Sequence, residues 1–304
     1  MNWKTSSIYQ YKIRIWVKIY TYFLVVLSMS ISSCSNEFDG KDGIKTIHFP
    51  NSKLIKQIVG YKDGKREGPL KEYYRNGQLK VSQFYHHDTL TDSSVFYYEN
   101  GNIQLIQYIK NRKKEGSWKK FNEQGKLYEE INYKDDERDG YSTKYSFRSL
   151  KLLERLHYAD GELEGKQEFF YLNGNPKAIT YSYASYPCLG TEEWDESGKK
   201  INNDFTISVR EENKLLLTGK FIIHIKLSNP KPDDEVNIIK DTSTTNCLLI
   251  AQRVTPVNHD FIIEYRVFPG SFVMETLKIA AIRRTELGNK FVKLKTINVS
   301  ANNY

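Results

Sequence analysis

Hydrophobic and polar residues alternate along this chain in short runs, and between residues 51 and 203 the runs recur with a fixed period. Each unit contains a short strand rich in aromatic residues, a tight turn, and a second strand that ends on tyrosine. A fixed period with glycines at fixed places is typical of a repeat array, in which each unit stacks on its neighbours. Alternation with period two indicates β-strands, so each unit is predicted to be a β-hairpin.

The turns inside the units carry the strongest hairpin signal. Asn-Gly or a close variant separates two alternating runs in each case, and both residues of such a pair tolerate the positive φ that matches strand twist. The pairs are Asn76-Gly77, Asn100-Gly101, Gln124-Gly125, Asn173-Gly174 and Ser197-Gly198, with Arg148-Ser149 as a degenerate member. The second strands are predicted to end, at nearly even intervals, at Tyr61, Tyr85, Tyr108, Tyr133, Tyr158 and Tyr181.

The units share the pattern Glu-Gly-x-Trp/Tyr-x-x-Phe/Tyr-x-x-x-Gly-x-Leu, which is clearest at residues 115–127. This pattern resembles the MORN repeat, specifically the divergent bacterial variant found in antitoxin-like proteins. In that family the hairpins line up into one elongated, twisted antiparallel sheet. The resemblance implies that residues 51–203 form such a sheet from about six repeats, with no second layer to cover it.

Aromatic residues recur in the first strand of each unit and are the candidate binding residues. In a single layer they serve first as the packing surface of the sheet itself, through aromatic pairs across strands. Successive side chains point to opposite faces, so part of the set can also line a tyrosine-rich groove for a protein, peptide or glycan. The candidates for that surface are Tyr74, Tyr98, Trp118, Phe121, Tyr145 and Phe170.

After residue 203 the repeats stop, and residues 204–304 contain about seven short runs with period-two alternation. Turn signals such as Asn229-Pro230 and Pro269-Gly270 separate the runs. Seven short strands in a segment of this length predict a β-sandwich. The predicted fold class is therefore all-β, an elongated single-layer antiparallel sheet of MORN-like hairpin repeats followed by a small β-sandwich domain.

Residues 1–33 have the layout of a secretory signal peptide. Four positive charges precede an apolar run at residues 19–27, which is too short to span a bilayer comfortably. The run ends in Ile31-Ser32-Ser33-Cys34, which resembles the bacterial lipobox. The resemblance implies cleavage before Cys34 and attachment of a lipid to its thiol. An uncleaved signal anchor followed by a chance cysteine is the alternative.

A lipid at Cys34 would hold the mature protein on a membrane, which makes the membrane one expected partner. Residues 34–50 are then a linker. Asn36 stands where an acidic residue retains some bacterial lipoproteins at the inner membrane. Its presence favours an outer-membrane anchor, on the periplasmic side or at the cell surface.

The charge pattern gives no support to a nucleic-acid partner. Of the net charge of +8, four units come from residues 1–33. The remaining lysines and arginines are interleaved with acidic residues and form no basic block. We therefore expect no nucleic-acid binding.

The sequence contains no recognisable catalytic or cofactor motif. We predict no catalytic residue, no cofactor and no metal. His86-His87-Asp88 is the one histidine cluster, and we interpret it as a solvated turn because no third metal ligand is in view. His259 has no nucleophile that spacing would pair with it. The acidic pairs and runs, Glu192-Glu193 and Asp233-Asp234-Glu235, are interpreted as solvated loops.

The two remaining cysteines, Cys188 and Cys247, lie in different predicted domains. A disulfide between them would tie the array to the tail domain in an oxidising compartment. The sequence leaves open whether they pair.

These observations favour a non-catalytic, lipid-anchored envelope protein whose repeat sheet is a protein-binding or scaffolding platform. One alternative is an antitoxin or immunity protein that neutralises a toxic partner, as the resemblance implies. Another is a glycan-binding lipoprotein.

Overall fold

The computed structural model describes residues 40–239, 247–248, 250–257 and 260–304. Almost every element in these residues is a β-strand, which confirms the all-β prediction. The signal layout, Cys34 and His259 lie outside the described residues. Within the described part of the chain, no helix is long and apolar enough to cross a membrane.

Fifteen strands between residues 43 and 193 form one antiparallel sheet. They are β1 (Gly43–His48), β2 (Ile55–Lys62), β3 (Lys65–Tyr73), β4 (Leu79–His86), β5 (Thr89–Tyr97), β6 (Ile103–Lys110), β7 (Lys113–Phe121), β8 (Leu127–Lys134), β9 (Glu137–Tyr145), β10 (Leu152–Ala159), β11 (Glu162–Leu163), β12 (Gly165–Phe170), β13 (Pro176–Tyr183), β14 (Tyr186–Pro187) and β15 (Glu192–Glu193). Strands β1 to β10 pair in chain order, and β12, β13 and β14 continue the row. Short strands β11 and β15 pair with β10 and β13. The sheet is therefore a row of sequential hairpins, as the repeats predict.

Two kinds of turn alternate along this sheet, and they correct the predicted turn geometry. In the glycine-containing turns inside the units only the glycine has positive φ, 85° at Gly77, while the Oδ1 atom of Asn76 accepts the N–H of Gln78 at 2.9 Å. In the degenerate turn at Arg148-Ser149 the positive φ is at Leu150. In the turn between units both central residues have positive φ, 47° at His87 and 63° at Asp88, as in a type I′ turn. The equivalent pairs are Asp63-Gly64, Asn111-Arg112, Asp135-Asp136, Asp160-Gly161 and Ala184-Ser185. The tight turns thus lie at the opposite end of the hairpins from the Asn-Gly pairs.

The strand register divides the sheet into two unlike faces. Cross-strand partners share a face, as do residues two apart in one strand. Followed from β2 to β13, the register places every buried strand residue on one face, which we call the inner face. These residues are Val59, Leu70, Val81, Ser94, Ile131, Ser142, Tyr158, Gln167 and Ala178. The opposite, outer face has no buried residue among the described positions of β1 to β13.

The tail folds into two four-stranded sheets that share one hydrophobic core. Its elements are β16 (Ile207–Lys214), α1 (Leu215–Thr218), β17 (Lys220–Leu227), β18 (Glu235–Ile239), β19 (Ile250–Val254), β20 (Pro256–Val257), β21 (Asp260–Arg266), β22 (Phe272–Arg284) and β23 (Lys290–Asn302). One sheet has the order β16-β17-β21-β20 and the other β19-β18-β22-β23. Ile223 and Ile225 of the first sheet and Val236 and Ile279 of the second lie fully buried in the shared core. This arrangement is the sandwich that the alternation predicts.

A disulfide and a polar cluster join the array to the tail. Cys188 forms the disulfide with Cys247, which answers the question that spacing left open. Thr191 donates to the carbonyl of Lys290 at 2.8 Å, and Leu189 packs against a second core cluster of the tail. The two parts are therefore attached through the end of the repeat sheet.

The carboxylate of Glu193 lies at the centre of this attachment. The residue is fully buried, with 0% of its surface exposed. It accepts hydrogen bonds from Thr285 and Asn289, both at 2.6 Å, and from Asn203 at 2.7 Å. The prediction that Glu192-Glu193 is a solvated loop is wrong for Glu193, because donors from distant parts of the sequence replace the water that a buried carboxylate loses.

The second acidic run is corrected in the same way. Asp234 is buried and accepts two hydrogen bonds from Arg283, at 2.8 and 2.7 Å. The backbone N–H of Lys231 donates to the same carboxylate at 2.9 Å. Its neighbour Asp233 is exposed, as predicted.

Candidate functional site

The outer face carries one equivalent residue per unit, at the third position from the end of each second strand. We call this set the outer row. It consists of Phe84, Tyr108, Asn132, His157 and Tyr181, one in each successive unit. Phe84 is 48% exposed, Tyr108 41% and Tyr181 37%, so large apolar side chains face solvent along the row.

The outer row shows that the six tyrosines predicted to end the second strands are not equivalent. Tyr85 pairs with Gly68 on the inner face, and Tyr133 and Tyr158 occupy the same place in their units. Tyr108 and Tyr181 come one residue earlier in their units and therefore lie on the outer face. A shift of one residue reverses the face because the side-chain period of a strand is two. The intervals between the six tyrosines are uneven for this reason.

The inner-face tyrosines are covered by cations of the preceding first strand. The Arg66 guanidinium lies 4.1 Å from the ring centroid of Tyr85, and the Lys114 ammonium lies 4.9 Å from that of Tyr133. Contacts of this kind stabilise the sheet itself. These tyrosines are packing residues.

Tyr74 and Tyr98, two of the predicted binding residues, connect one unit to the next. Their hydroxyls donate to the backbone carbonyls of Tyr97 and Phe121 at 2.7 and 2.8 Å. Burial raises the pKa of both hydroxyls, so they remain protonated donors. Tyr171 repeats the bond further along the array, with the carbonyl of Trp194 at 2.8 Å.

The other four predicted residues occupy two further repeat positions. Trp118 lies on the inner face opposite Ile131, with its ring 5.0 Å from that of Tyr133. Its Nε1–H donates to the carbonyl of Tyr108 at 3.1 Å. Phe121, Tyr145 and Phe170 are each the last residue of a first strand and are partly buried. The six candidates therefore occupy three different repeat positions, and a ligand role for any of them stays a prediction.

A groove opens on the outer face next to the outer row. Its lining includes Tyr141, which is 58% exposed, and His157 of the outer row, whose ring centroid lies 4.9 Å from that of Tyr141. The groove has a volume of about 460 Å³ and its remaining lining residues are Thr143, Arg155, Glu164, Gly165, Lys166 and Glu168. An exposed tyrosine, a histidine and charged side chains thus line one open groove on the outer face.

Two cations of the groove pair with the carboxylate of Glu168. Its carboxylate lies 2.7 Å from the Lys166 ammonium and 3.3 Å from the Arg155 guanidinium. The hydrogen bond from Lys166 is the main cause that lowers the pKa of Glu168, which keeps the carboxylate ionised at neutral pH. A ligand that enters the groove meets paired charges beside an exposed aromatic ring.

The strand spacing sets the scale of the outer row. Successive members lie two strands apart, which corresponds to about 10 Å, and the eight strand steps from Phe84 to Tyr181 correspond to about 38 Å. An extended ligand that crosses the strands would meet one member of the row per repeat. This row was not predicted from the sequence. Tyr108 and Asn132 nevertheless follow Phe84 at intervals of one full repeat period, and this spacing is the signal that could have found them.

The histidine cluster lies on the turn between β4 and β5, and both rings are exposed, as a solvated turn implies. The structure adds a neighbour that the sequence did not indicate. The Glu67 carboxylate accepts the backbone N–H of His87 at 2.9 Å and lies 2.9 Å from Nδ1 of His86. Two imidazoles and a carboxylate therefore lie together at this turn.

Comparison with known families identifies the repeats. The model of the MORN repeat variant matches residues 66–87, 94–111, 114–135 and 163–183. These stretches coincide with hairpins of the fifteen-stranded sheet, so the four matched units are MORN repeat variants, as predicted. No curated relative matches the chain. Repeats of this kind indicate a repeat-based binding or scaffolding role.

Proposed function

We propose that this chain is a non-catalytic, lipid-anchored envelope protein whose MORN-variant sheet binds a protein partner along its outer face. The observation that carries the proposal is the outer row with its adjoining groove. The inner-face aromatics are engaged within the sheet, whereas Phe84, Tyr108 and Tyr181 of the row and Tyr141 of the groove remain exposed. Tyrosine, phenylalanine and arginine are enriched in protein interfaces, and the outer face exposes tyrosine and phenylalanine along the row and Arg155 in the groove.

The disulfide supports a location outside the cytoplasm. Disulfides persist in the periplasm and at cell surfaces and are rare in the cytosol. Cys188 is buried and bonded to Cys247 across the junction. This agrees with export by the signal layout of residues 1–33 and with a lipid anchor at Cys34, on the periplasmic side of the outer membrane or at the cell surface.

Replacement of Cys34 by serine is expected to abolish lipid attachment, because the serine hydroxyl lacks the thiol that takes the lipid. Cells are grown with a labelled fatty acid, and the chain is isolated and compared by gel electrophoresis. The wild-type chain should carry the label and lack the signal segment 1–33, whereas Cys34→Ser should be unlabelled and retain that segment. Ser35→Ala is the control and should behave as the wild type. Label on the Cys34→Ser chain, or a wild-type chain without label, would contradict the anchor.

The binding surface is tested by capture from the native envelope with the full-length chain in detergent. The test variant carries Tyr108→Ala, Tyr141→Ala and Tyr181→Ala, which removes three exposed rings from the outer face. The control variant carries Leu216→Ser and Met274→Ser, which removes two even more exposed apolar side chains from the tail. The wild type and the control are expected to retain the same partner, and the test variant to retain at most a tenth of it.

Each outcome of the capture has one meaning. A protein that is lost only from the test variant supports the outer face as the binding surface, and a toxic protein among such partners would specify the function as immunity. A partner retained equally by the test variant would overturn the assignment of the surface. If no protein is captured, but cell-wall or polysaccharide fragments bind the wild type and not the test variant, the partner is a glycan and the protein-binding proposal fails.

A further inference from the structure

We propose that Glu67, His86 and His87 form a binding site for a divalent first-row transition metal ion such as Zn²⁺. Imidazole nitrogen and carboxylate oxygen are ligands that suit zinc, copper and nickel. Within the described residues, this is the group of histidine and acidic side chains whose potential ligand atoms converge, all within 4.8 Å of one another. The site lies on the outer face beside the end of the outer row, since His86 is two residues from Phe84 in β4, but none of its three ligands is a member of the row.

The distances between the ligand atoms fit a common ion. In a tetrahedral zinc site with metal–ligand bonds of about 2.0–2.1 Å, neighbouring ligand atoms lie about 3.3 Å apart. The Nδ1 atom of His86 lies 2.9 Å from Oε1 of Glu67, and Nδ1 of His87 lies 3.5 Å from Oε2 of Glu67. The two Nδ1 atoms are 3.4 Å apart, and Nδ1 of His87 is also 3.1 Å from Nε2 of His86. Each pair of side chains thus brings donor atoms to within a few tenths of an ångström of the required spacing. One oxygen of Glu67 faces each imidazole, so the carboxylate can bind the ion through both oxygens or turn slightly to bind through one.

The carboxylate is held in place. The backbone N–H of His87 donates to Oε2 of Glu67 at 2.9 Å, and Oε1 lies 2.9 Å from Nδ1 of His86. The two imidazoles are 63% and 52% exposed, so their rings are free to turn onto an ion. The carboxylate of Asp88, the next residue, accepts hydrogen bonds from the backbone N–H and the guanidinium of Arg66 and is therefore not counted as a ligand. Three protein ligands leave the remaining coordination position to water.

The equivalent turn between β8 and β9 shows that the glutamate has a structural role even where no histidine is present. Glu115 occupies the place of Glu67 and accepts the N–H of Asp135 at 3.2 Å. The turn residues there are Lys134 and Asp135, so the same hydrogen bond exists without an imidazole. The glutamate therefore serves the turn in both units, and only the first of these turns has the nitrogen ligands of a metal site.

The proposal is tested by calorimetric titration of Zn²⁺ into the full-length chain, purified in detergent without a histidine tag and treated with a chelator. The wild type is expected to bind one ion per chain at this site. His86→Ala and His87→Ala should each weaken binding at least about tenfold, because each removes a direct ligand and even the loss of a group that orients a ligand costs that much. Glu67→Gln should also weaken it, and Co²⁺ bound to the wild type should show a visible absorption band that both histidine variants lose.

Two matched variants complete the test. Glu115→Gln removes the equivalent hydrogen bond of the other turn and His48→Ala removes an exposed histidine on β1, and neither should change Zn²⁺ affinity. A circular dichroism spectrum identical to the wild type would show that each histidine variant is folded. Absence of saturable Zn²⁺ binding, affinities of His86→Ala and His87→Ala equal to the wild type, or an equal loss in His48→Ala would overturn the site.

Discussion

Replacement of Arg283 by alanine is expected to lower the free energy of unfolding of the tail domain by about 3–5 kcal/mol, the usual cost of removing one partner of a buried ion pair. The side chains of Arg283 and Asp234 are 9% and 2% exposed and are joined by two hydrogen bonds. Without the guanidinium, the Asp234 carboxylate would be buried with no countercharge. The guanidinium also lies 4.3 Å from the ring centroid of Phe205, so packing in the core is lost as well.

The next residue in the chain provides the control for this prediction. Arg284 is 62% exposed and lies 3.6 Å from Asp233, a surface pair, so Arg284→Ala should change stability by less than about 0.5 kcal/mol. Urea denaturation followed by circular dichroism measures both variants. Equal losses for Arg283→Ala and Arg284→Ala would show that burial of the pair does not determine its contribution.

Removal of the disulfide is expected to cost about 4 kcal/mol of stability. The bond joins residues 59 apart in sequence, and a closed loop of that length restricts the unfolded chain by about this amount in the chain-entropy treatment. The variant Cys188→Ala with Cys247→Ala keeps both sites apolar, which suits two buried residues. Because the bond connects the array to the tail, its loss should also make the junction the first region to open.

Hydrogen exchange and denaturation with and without a reductant test this second prediction. The reductant should lower the stability of the wild type to that of the double variant and leave the double variant unchanged. A double variant as stable as the wild type would show that the polar cluster around Glu193 alone holds the two parts together. A reductant that destabilises the double variant would indicate an effect unrelated to this bond.

The order of the strands follows from the sequence because every hairpin is local. Neighbouring strands of the array are joined by short turns, so period-two alternation and turn residues are sufficient to predict the meander. A turn with positive φ at both central residues was predicted at the Asn-Gly pairs, but the structure has it at the turns between units. Asn76 satisfies the turn with its side chain, whereas non-glycine pairs such as Asn111-Arg112 adopt positive φ at the other end.

The face on which a side chain lies depends on the strand register. The sequence shows this register only if positions are compared at a full repeat period and not by residue type. Tyr108 and Tyr181 follow the pattern of a strand-ending tyrosine, yet they lie one residue out of phase with Tyr85 and Tyr133. A displacement of one position along the strand places a side chain on the opposite face of the sheet. For this reason the exposed outer row could not be found from the presence of tyrosine alone.

The buried acids could not be predicted because their partners are distant in sequence. Thr285 and Asn289 are 92 and 96 residues from Glu193, and Arg283 is 49 residues from Asp234. A pair of acids in a polar segment has the same sequence pattern in a solvated loop and in a domain junction. Only the packing of the tail against the end of the array distinguishes the two.

The bonds between units have a consequence for how this protein can change in evolution. Tyr74, Tyr98 and Tyr171 each bond to the unit that follows, and the contacts to the tail described above begin at Cys188, after the last complete hairpin. Duplication or deletion of one whole unit in the middle of the array would therefore preserve both its repeating bonds and its attachment. Each such event would change the length of the outer face by about 10 Å. The length of the outer face can thus change in evolution without a change in the contacts that attach the array to the tail.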